Sequence, residues 1–151
     1  MVELDYIGKL RKTHFSIDLS PKMENQEVVV GGWVVRTRKM GGLCFVVLQD
    51  KFGNIQITAK KGVVSDELFD KINKVGAQWC LLIKGKIKPF NKAPQGVEII
   101  PSELLIMNTA IEQLPIDMTG VNMSELDTRL NNRTLDLRHP RNQAVFHIHS
   151  W

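Results

Sequence analysis

No apolar run in this 151-residue chain approaches the roughly 20 residues that span a bilayer, so the sequence holds no transmembrane helix and calls for no membrane partner. Its opening, MVELDYIGKLRKTHFS, scatters charge where a secretory signal would place an apolar centre. Cysteine is scarce. Cys44 and Cys80 both stand in apolar runs, which predicts reduced, buried thiols and a cytoplasmic location. Catalytic signatures are missing too. Gly31-Gly32 and Gly41-Gly42 are isolated pairs, not a P-loop or dinucleotide fingerprint. Neither a GxSxG elbow nor an HExxH helix occurs. His147 and His149 have a spacing that could grip a metal from a strand, but no cysteine or third histidine stands near them. With no nucleophile, base and oxyanion hole to assemble, the chain reads as a binding module.

What is present is an ordinary globular composition, 43% hydrophobic and 24% charged, which excludes disorder and fibres. The length suits one domain with a short appendage. Lys and Arg exceed Asp and Glu by 20 to 16, a net charge of +4. The basic residues cluster: Arg36, Arg38 and Lys39; Lys84, Lys86, Lys88 and Lys92; then Arg129, Arg133, Arg138 and Arg141. Such clusters serve either a polyanionic partner or simply the solvated faces of strands.

Residues 1–21 form a weakly patterned arm or short helix lying on the main domain. From Val28 the pattern turns to strands. Val28–Thr37 is rich in β-branched residues, with a bulge or bend expected at Gly31-Gly32. Leu43–Leu48 follows, then an Asp-Gly turn, then the alternating run Asn54–Ala59. Ser65 caps a helix whose Leu68, Ile72 and Val75 make one apolar stripe and which Gly76 ends. Strands over Trp79–Lys88 and Val97–Met107 complete the set, with Pro101 bending the last or lying at its edge. Three strands, a helix and two strands describe a mainly β fold: a five-stranded OB-fold Greek-key barrel spanning 22–108. Residues 110–120 read as a linker. The arginine-rich remainder has helical potential after Pro140 and stops within that pattern at Trp151.

OB-folds bind through strands 2–3 and the loops joining strands 1–2 and 4–5. Single-stranded nucleic acid asks for an aromatic platform, cations, and polar groups that read base edges. Phe45, Gln56, Arg38, Phe90 and Lys92 supply these on the expected elements. By pattern alone Phe45 reads as core, because Cys44 and Val46 beside it are also apolar.

These residues resemble the N-terminal anticodon-binding domain of class IIb aminoacyl-tRNA synthetases, most closely the archaeal-type aspartyl enzymes. The resemblance runs through GWVVRTRKMGGLCFVVLQDKFGNIQI, GVEIIPSELLIMN, LPIDMTG and ELDTRLNNRTLDLRHPRNQAVFHIHS. It implies that the middle anticodon base, a uridine, stacks on Phe45, is hydrogen-bonded by Gln56 and is approached by Arg38. It further implies that Glu98 reads the first base, a guanine, whose two N–H donors suit a carboxylate. Phe90 and Lys92 belong to the loop approaching the first and third bases. The family often carries arginine where this chain has Gln49 and aspartate where it has Asn131.

The resemblance implies a parent aspartate–tRNA ligase, ATP- and Mg2+-dependent and homodimeric through its catalytic domain. The motifs of that domain are absent from this sequence, so 109–151 reads as a hinge leading to it. The resemblance implies that the chain itself needs no cofactor and selects the tRNA for aspartate, with that for asparagine as a second candidate. A nondiscriminating enzyme charging both, or an asparaginyl enzyme, fits the same readers, since the two anticodons share their first two bases. Outside the family stand a general single-strand-binding OB protein and a protein-interaction module with merely solubilising charge.

Overall fold

The computed structural model describes residues 3–111, 114–118 and 122–150. Five strands carry the first unit of the chain: β1 (Glu27–Met40), β2 (Leu43–Gln49), β3 (Asn54–Lys60), β4 (Cys80–Pro89) and β5 (Val97–Asn108). They close into a barrel in the order β1-β2-β3-β5-β4. Every pairing is antiparallel except β3 with β5, a parallel seam of two residue pairs, Gln56 with Glu98 and Ile57 with Ile99. The sequence dictates this closure through its period of two. Val28, Val30 and Val34, Cys44, Val46 and Leu48, Ile55, Ile57 and Ala59, and Ile99, Leu104 and Ile106 all pack in one core, each 3% exposed or less.

Helix α1 (Asp66–Asn73) lies between β3 and β4, capped by the Ser65 hydroxyl, which accepts from the Leu68 amide at 3.3 Å. It buries Leu68, Phe69 and Ile72. The helix stops before Gly76, and Val75 packs into the core from beyond its end. Gly76 has a steric role instead: a Cβ there would fall 2.7 Å from the Trp79 indole nitrogen.

The bulge expected at Gly31-Gly32 lies elsewhere. Those glycines pair in unbroken register with Leu82 and Leu81, while the β1–β2 register slips between Val34 and Arg36. Gly32 is required because the chain crowds it: a Cβ would sit 2.3 Å from the Gln49 carbonyl oxygen. A second slip, between Lys84 and Gly85 of β4, brings Pro101 opposite Gly85, so the proline stands at a bulge that tolerates its missing donor. Cys44 is buried as expected, but Cys80 is only half-buried, since β4 begins there at the barrel rim.

The arm is extended, with short 3-10 turns at Ser16–Asp18 and Pro21–Met23. It is stitched to the barrel by Asp5, whose amide donates to the Ile106 carbonyl at 2.9 Å, and by Thr13, whose amide donates to Val29 at 2.8 Å. Asp50, after β2, is the anchor. Its carboxylate accepts from the Ser16 amide and hydroxyl, both at 2.7 Å, and from the Phe52 and Gly53 amides at 2.8 and 3.1 Å.

The chain divides into two compact units, Met1–Ala110 and Ile111–Trp151. The second holds α2 (Leu126–Asn131), α3 (Arg133–Asp136) and α4 (Pro140–His149). Buried Asp136 organises it, accepting from Arg129 Nε at 2.7 Å and Arg133 Nη1 at 2.5 Å, while Asn142 donates to its backbone carbonyl at 2.8 Å. α4 begins at Pro140, where the sequence places it. The short helices before it carry no pattern that announces them. Parts of the 110–120 segment (112–113 and 119–120), and Trp151, lie outside the described residues.

Candidate nucleic-acid interface

The register places the candidate residues on one outward belt of the barrel. Arg38 of β1 pairs with Phe45 of β2, and Phe45 with Thr58 of β3. One step along, Arg36 pairs with Val47, Val47 with Gln56, Gln56 with Glu98, and Glu98 with Lys88. This second row crosses all five strands. Phe45 therefore faces outward and is half-buried. Its inward neighbours Cys44 and Val46 are the core residues, which settles against the pattern-only reading of Phe45 as core.

Two adjoining depressions share Phe45 and Phe90. The first, about 500 Å³, is lined by Arg36, Arg38, Phe45, Val47, Gln56, Phe90 and Lys92. The second, about 350 Å³, holds Thr58, Lys60, Lys88 and Glu98. Phe90 is 37% exposed, and its loop turns back on itself through a Phe90 amide to Gly96 carbonyl bond of 2.8 Å. Five of the six sequence-derived candidates, Arg38, Phe45, Gln56, Phe90 and Lys92, thus line one depression, and Glu98 stands in the next.

Glu98 departs from an ordinary exposed strand residue. It is 7% exposed, and its Oε2 accepts from the Thr58 hydroxyl at 2.6 Å and more loosely from the Gln56 amide at 3.4 Å. Gln56 Nε2 also lies 3.4 Å from Thr58 Oγ1. With two acceptors on one side, the Gln56 amide is oriented, its nitrogen toward Glu98.

The basic clusters separate by role. Arg36, Arg38, Lys60, Lys88 and Lys92 are exposed around the depressions. Lys39 instead donates to the Asn73 carbonyl, Lys84 pairs with Glu27 at 2.9 Å, and Arg129 and Arg133 are committed to Asp136. His147 and His149 lie on helix α4, not on a strand. Two residues apart on a helix they are about 200° apart around its axis, so the strand geometry for a shared metal does not arise. Sequence reasoning passed over Thr58 and Lys60, and placed Lys88 only within a basic cluster. Period-two spacing from Gln56 marks Thr58 and Lys60 as sharing its face, but Lys88 needs the β4–β5 register.

The depressions offer aromatic faces, oriented hydrogen-bonding groups and exposed cations, the three requirements for holding unstacked bases. The comparisons agree. Residues 28–107 match the tRNA anticodon family model, an OB-fold nucleic acid binding domain. A protein of Methanocaldococcus jannaschii named aspartate–tRNA(Asp/Asn) ligase is 49% identical over 142 residues, 94% of this chain and 32% of its own. That name pairs both tRNAs, in line with the nondiscriminating alternative more than with an aspartate-only enzyme. The aspartyl-tRNA synthetase of Entamoeba histolytica superposes with a TM-score of 0.81 at 26% identity, over 95% of this chain and 35% of that one. Asparaginyl-tRNA synthetase of Pyrococcus horikoshii has the same fold, with a TM-score of 0.81 at 24% identity over 92% of this chain and 31% of that one. The chain spans about a third of the length of the curated relatives it matches. It belongs to the tRNA anticodon family of OB-fold nucleic acid binding domains.

Proposed function

We propose that this chain is the anticodon-selecting part of an aspartate–tRNA ligase that serves the tRNAs for both aspartate and asparagine. The belt from Arg38 through Phe45, Gln56 and Glu98 carries this reading, because it presents a stacking face between two differently equipped depressions. The middle uridine stacks on Phe45. Gln56 offers an amide nitrogen and oxygen to the acceptor and N–H donor of the uracil edge. Arg38 and Lys92 balance the phosphates, and Phe90 flanks the base from the loop. Glu98 takes the two N–H donors of the first-position guanine. Both anticodons, GUC and GUU, present these two bases, so these readers treat them alike; the relatives' shared name, which pairs the two tRNAs, supports this reading.

In this reading residues 22–108 are the anticodon barrel with 1–21 as its strap, and 109–151 are the hinge. Aspartate activation, with its ATP and Mg2+, and homodimerisation belong to the two thirds of the relatives' length that this chain does not span, in a cytoplasmic enzyme. Among the described residues no helix is long and apolar enough to cross a membrane.

The test is fluorescence anisotropy with labelled anticodon stem-loops. GUC and GUU bind within about threefold of one another, while changing the middle base to cytosine weakens binding by about tenfold or more, the scale of one well-made base contact. Equal binding of all stem-loops at physiological salt would overturn the proposal.

A further inference from the structure

The Gln56–Thr58–Glu98 cluster joins the two depressions, and its middle member has no part in the reading above. Thr58 is 6% exposed. Its hydroxyl donates to Glu98 Oε2 at 2.6 Å, at the short end of the range for a hydroxyl donor. The same oxygen faces the Gln56 amide nitrogen at 3.4 Å, which also faces Glu98 Oε2 at 3.4 Å. One short bond therefore fixes the carboxylate, and two long ones, one from each partner, tie the Thr58–Glu98 pair to the amide. Among the described residues no donor reaches Glu98 Oε1, so Thr58 fixes the carboxylate through one lone pair of Oε2 and leaves Oε1 and the outer side of Oε2 to accept the two N–H donors. A buried carboxylate without a positioned donor would turn toward water or toward Lys88, its β4 partner.

We infer that Thr58 is a positioning residue that orients Glu98 toward the first anticodon base and, through the shared contacts with Gln56, makes recognition of the first and middle bases interdependent. The inference rests on Gln56 and Glu98 being the base readers. When Gln56 engages uracil, its long bonds to Thr58 and Glu98 are the ones that can lengthen further, while the short Thr58–Glu98 bond persists. Binding a correct middle base thus changes the donors seen by the carboxylate. The two bases then contribute non-additively, as expected for groups in one hydrogen-bond network.

The experiment uses the full 151-residue chain, its Thr58→Val and Thr58→Ser variants, and four stem-loops: GUC, the same with adenine first, the same with cytosine in the middle, and the double change. Dissociation constants from anisotropy give each single-base penalty and their coupling, and circular dichroism melts confirm folding. Valine keeps the branched shape and removes the hydroxyl, whereas serine keeps the hydroxyl. The wild type shows a penalty at both bases and a double penalty that differs from their product by threefold or more. Thr58→Val lowers the first-base penalty by about fivefold to tenfold, brings the two penalties to simple multiplication, and retains most of the middle-base penalty. Thr58→Ser restores the wild-type pattern.

A folded Thr58→Val with unchanged penalties and coupling overturns the positioning role. So does a Thr58→Ser that behaves like valine, since only shape would then matter. A wild type indifferent to either base overturns the anticodon reading itself, and this inference with it. Penalties present in the wild type but untouched by Thr58→Val overturn the inference alone.

Discussion

Asp50 offers the most demanding test of how this barrel is held. Its side chain is 2% exposed, and four protein donors converge on it: the Ser16 amide and hydroxyl and the Phe52 and Gly53 amides. Lys12 stands farther off at 3.4 Å. Hydrogen bonds to a charged group contribute about 1.5–3 kcal/mol each, against which the burial of the carboxylate must be set. Removing one member of such a buried cluster strands the others, at a cost of about 3–5 kcal/mol. Asp50→Asn, which keeps the volume but turns one acceptor into a donor facing N–H groups, should lose a comparable amount. Burial pulls the carboxyl pKa upward, but the Ser16, Phe52 and Gly53 donors together outweigh it and leave the value below 3.8. A lowered folded-state pKa contributes stability that is complete above the unfolded value and lost as pH falls through the folded one. Urea titrations of wild type and Asp50→Asn should therefore differ by their full gap at pH 7 and converge below about pH 4. Taking the difference cancels the similarly lowered Asp5 and Asp136. A gap under about 1 kcal/mol at pH 7, or one that closes between pH 7 and 5, would refute this account.

Further outcomes follow from the same geometry. Phe45→Ala should weaken GUC stem-loop binding by roughly 5- to 150-fold, the equivalent of about 1–3 kcal/mol of stacking, while Phe45→Trp retains it; anisotropy at fixed salt reads both. Lys92→Ala should lower the slope of log affinity against log salt by about 0.7, the single-strand value for one phosphate contact, and leave the ranking of stem-loops intact. Gly32→Ala should destabilise the barrel by about 1–3 kcal/mol in urea, since its methyl would meet the Gln49 carbonyl oxygen at 2.3 Å.

Strand order and the single early helix were legible because β-branched runs, turn residues and the Ser65 cap each act locally. The orientation of Phe45 was hidden: both faces of β2 are apolar, one for the core and one for the groove, so alternation is invisible in LCFVVL. The burial of Glu98 depends on Thr58, 40 positions away, and no local pattern carries a partner at that separation. Glycine marks both irregular backbone and close approach, so Gly31-Gly32 reads as a bulge in the sequence, whereas in the barrel it serves the second. Helices α2 and α3 escaped notice because buried Asp136, not an apolar stripe, organises them.

The β3–β5 seam closes the barrel with two residue pairs, against ten between β4 and β5. Gln56 and Glu98 are one of those two pairs. Segments with few bonds open at lower free energy than the whole molecule. Under the proposed function, warming or a destabilising substitution would part the seam while the rest of the barrel stays closed. Such a protein would still hold RNA through its cations and phenylalanines but would misjudge which RNA it held. Under that function, discrimination between RNAs would fail first, and the fold only later.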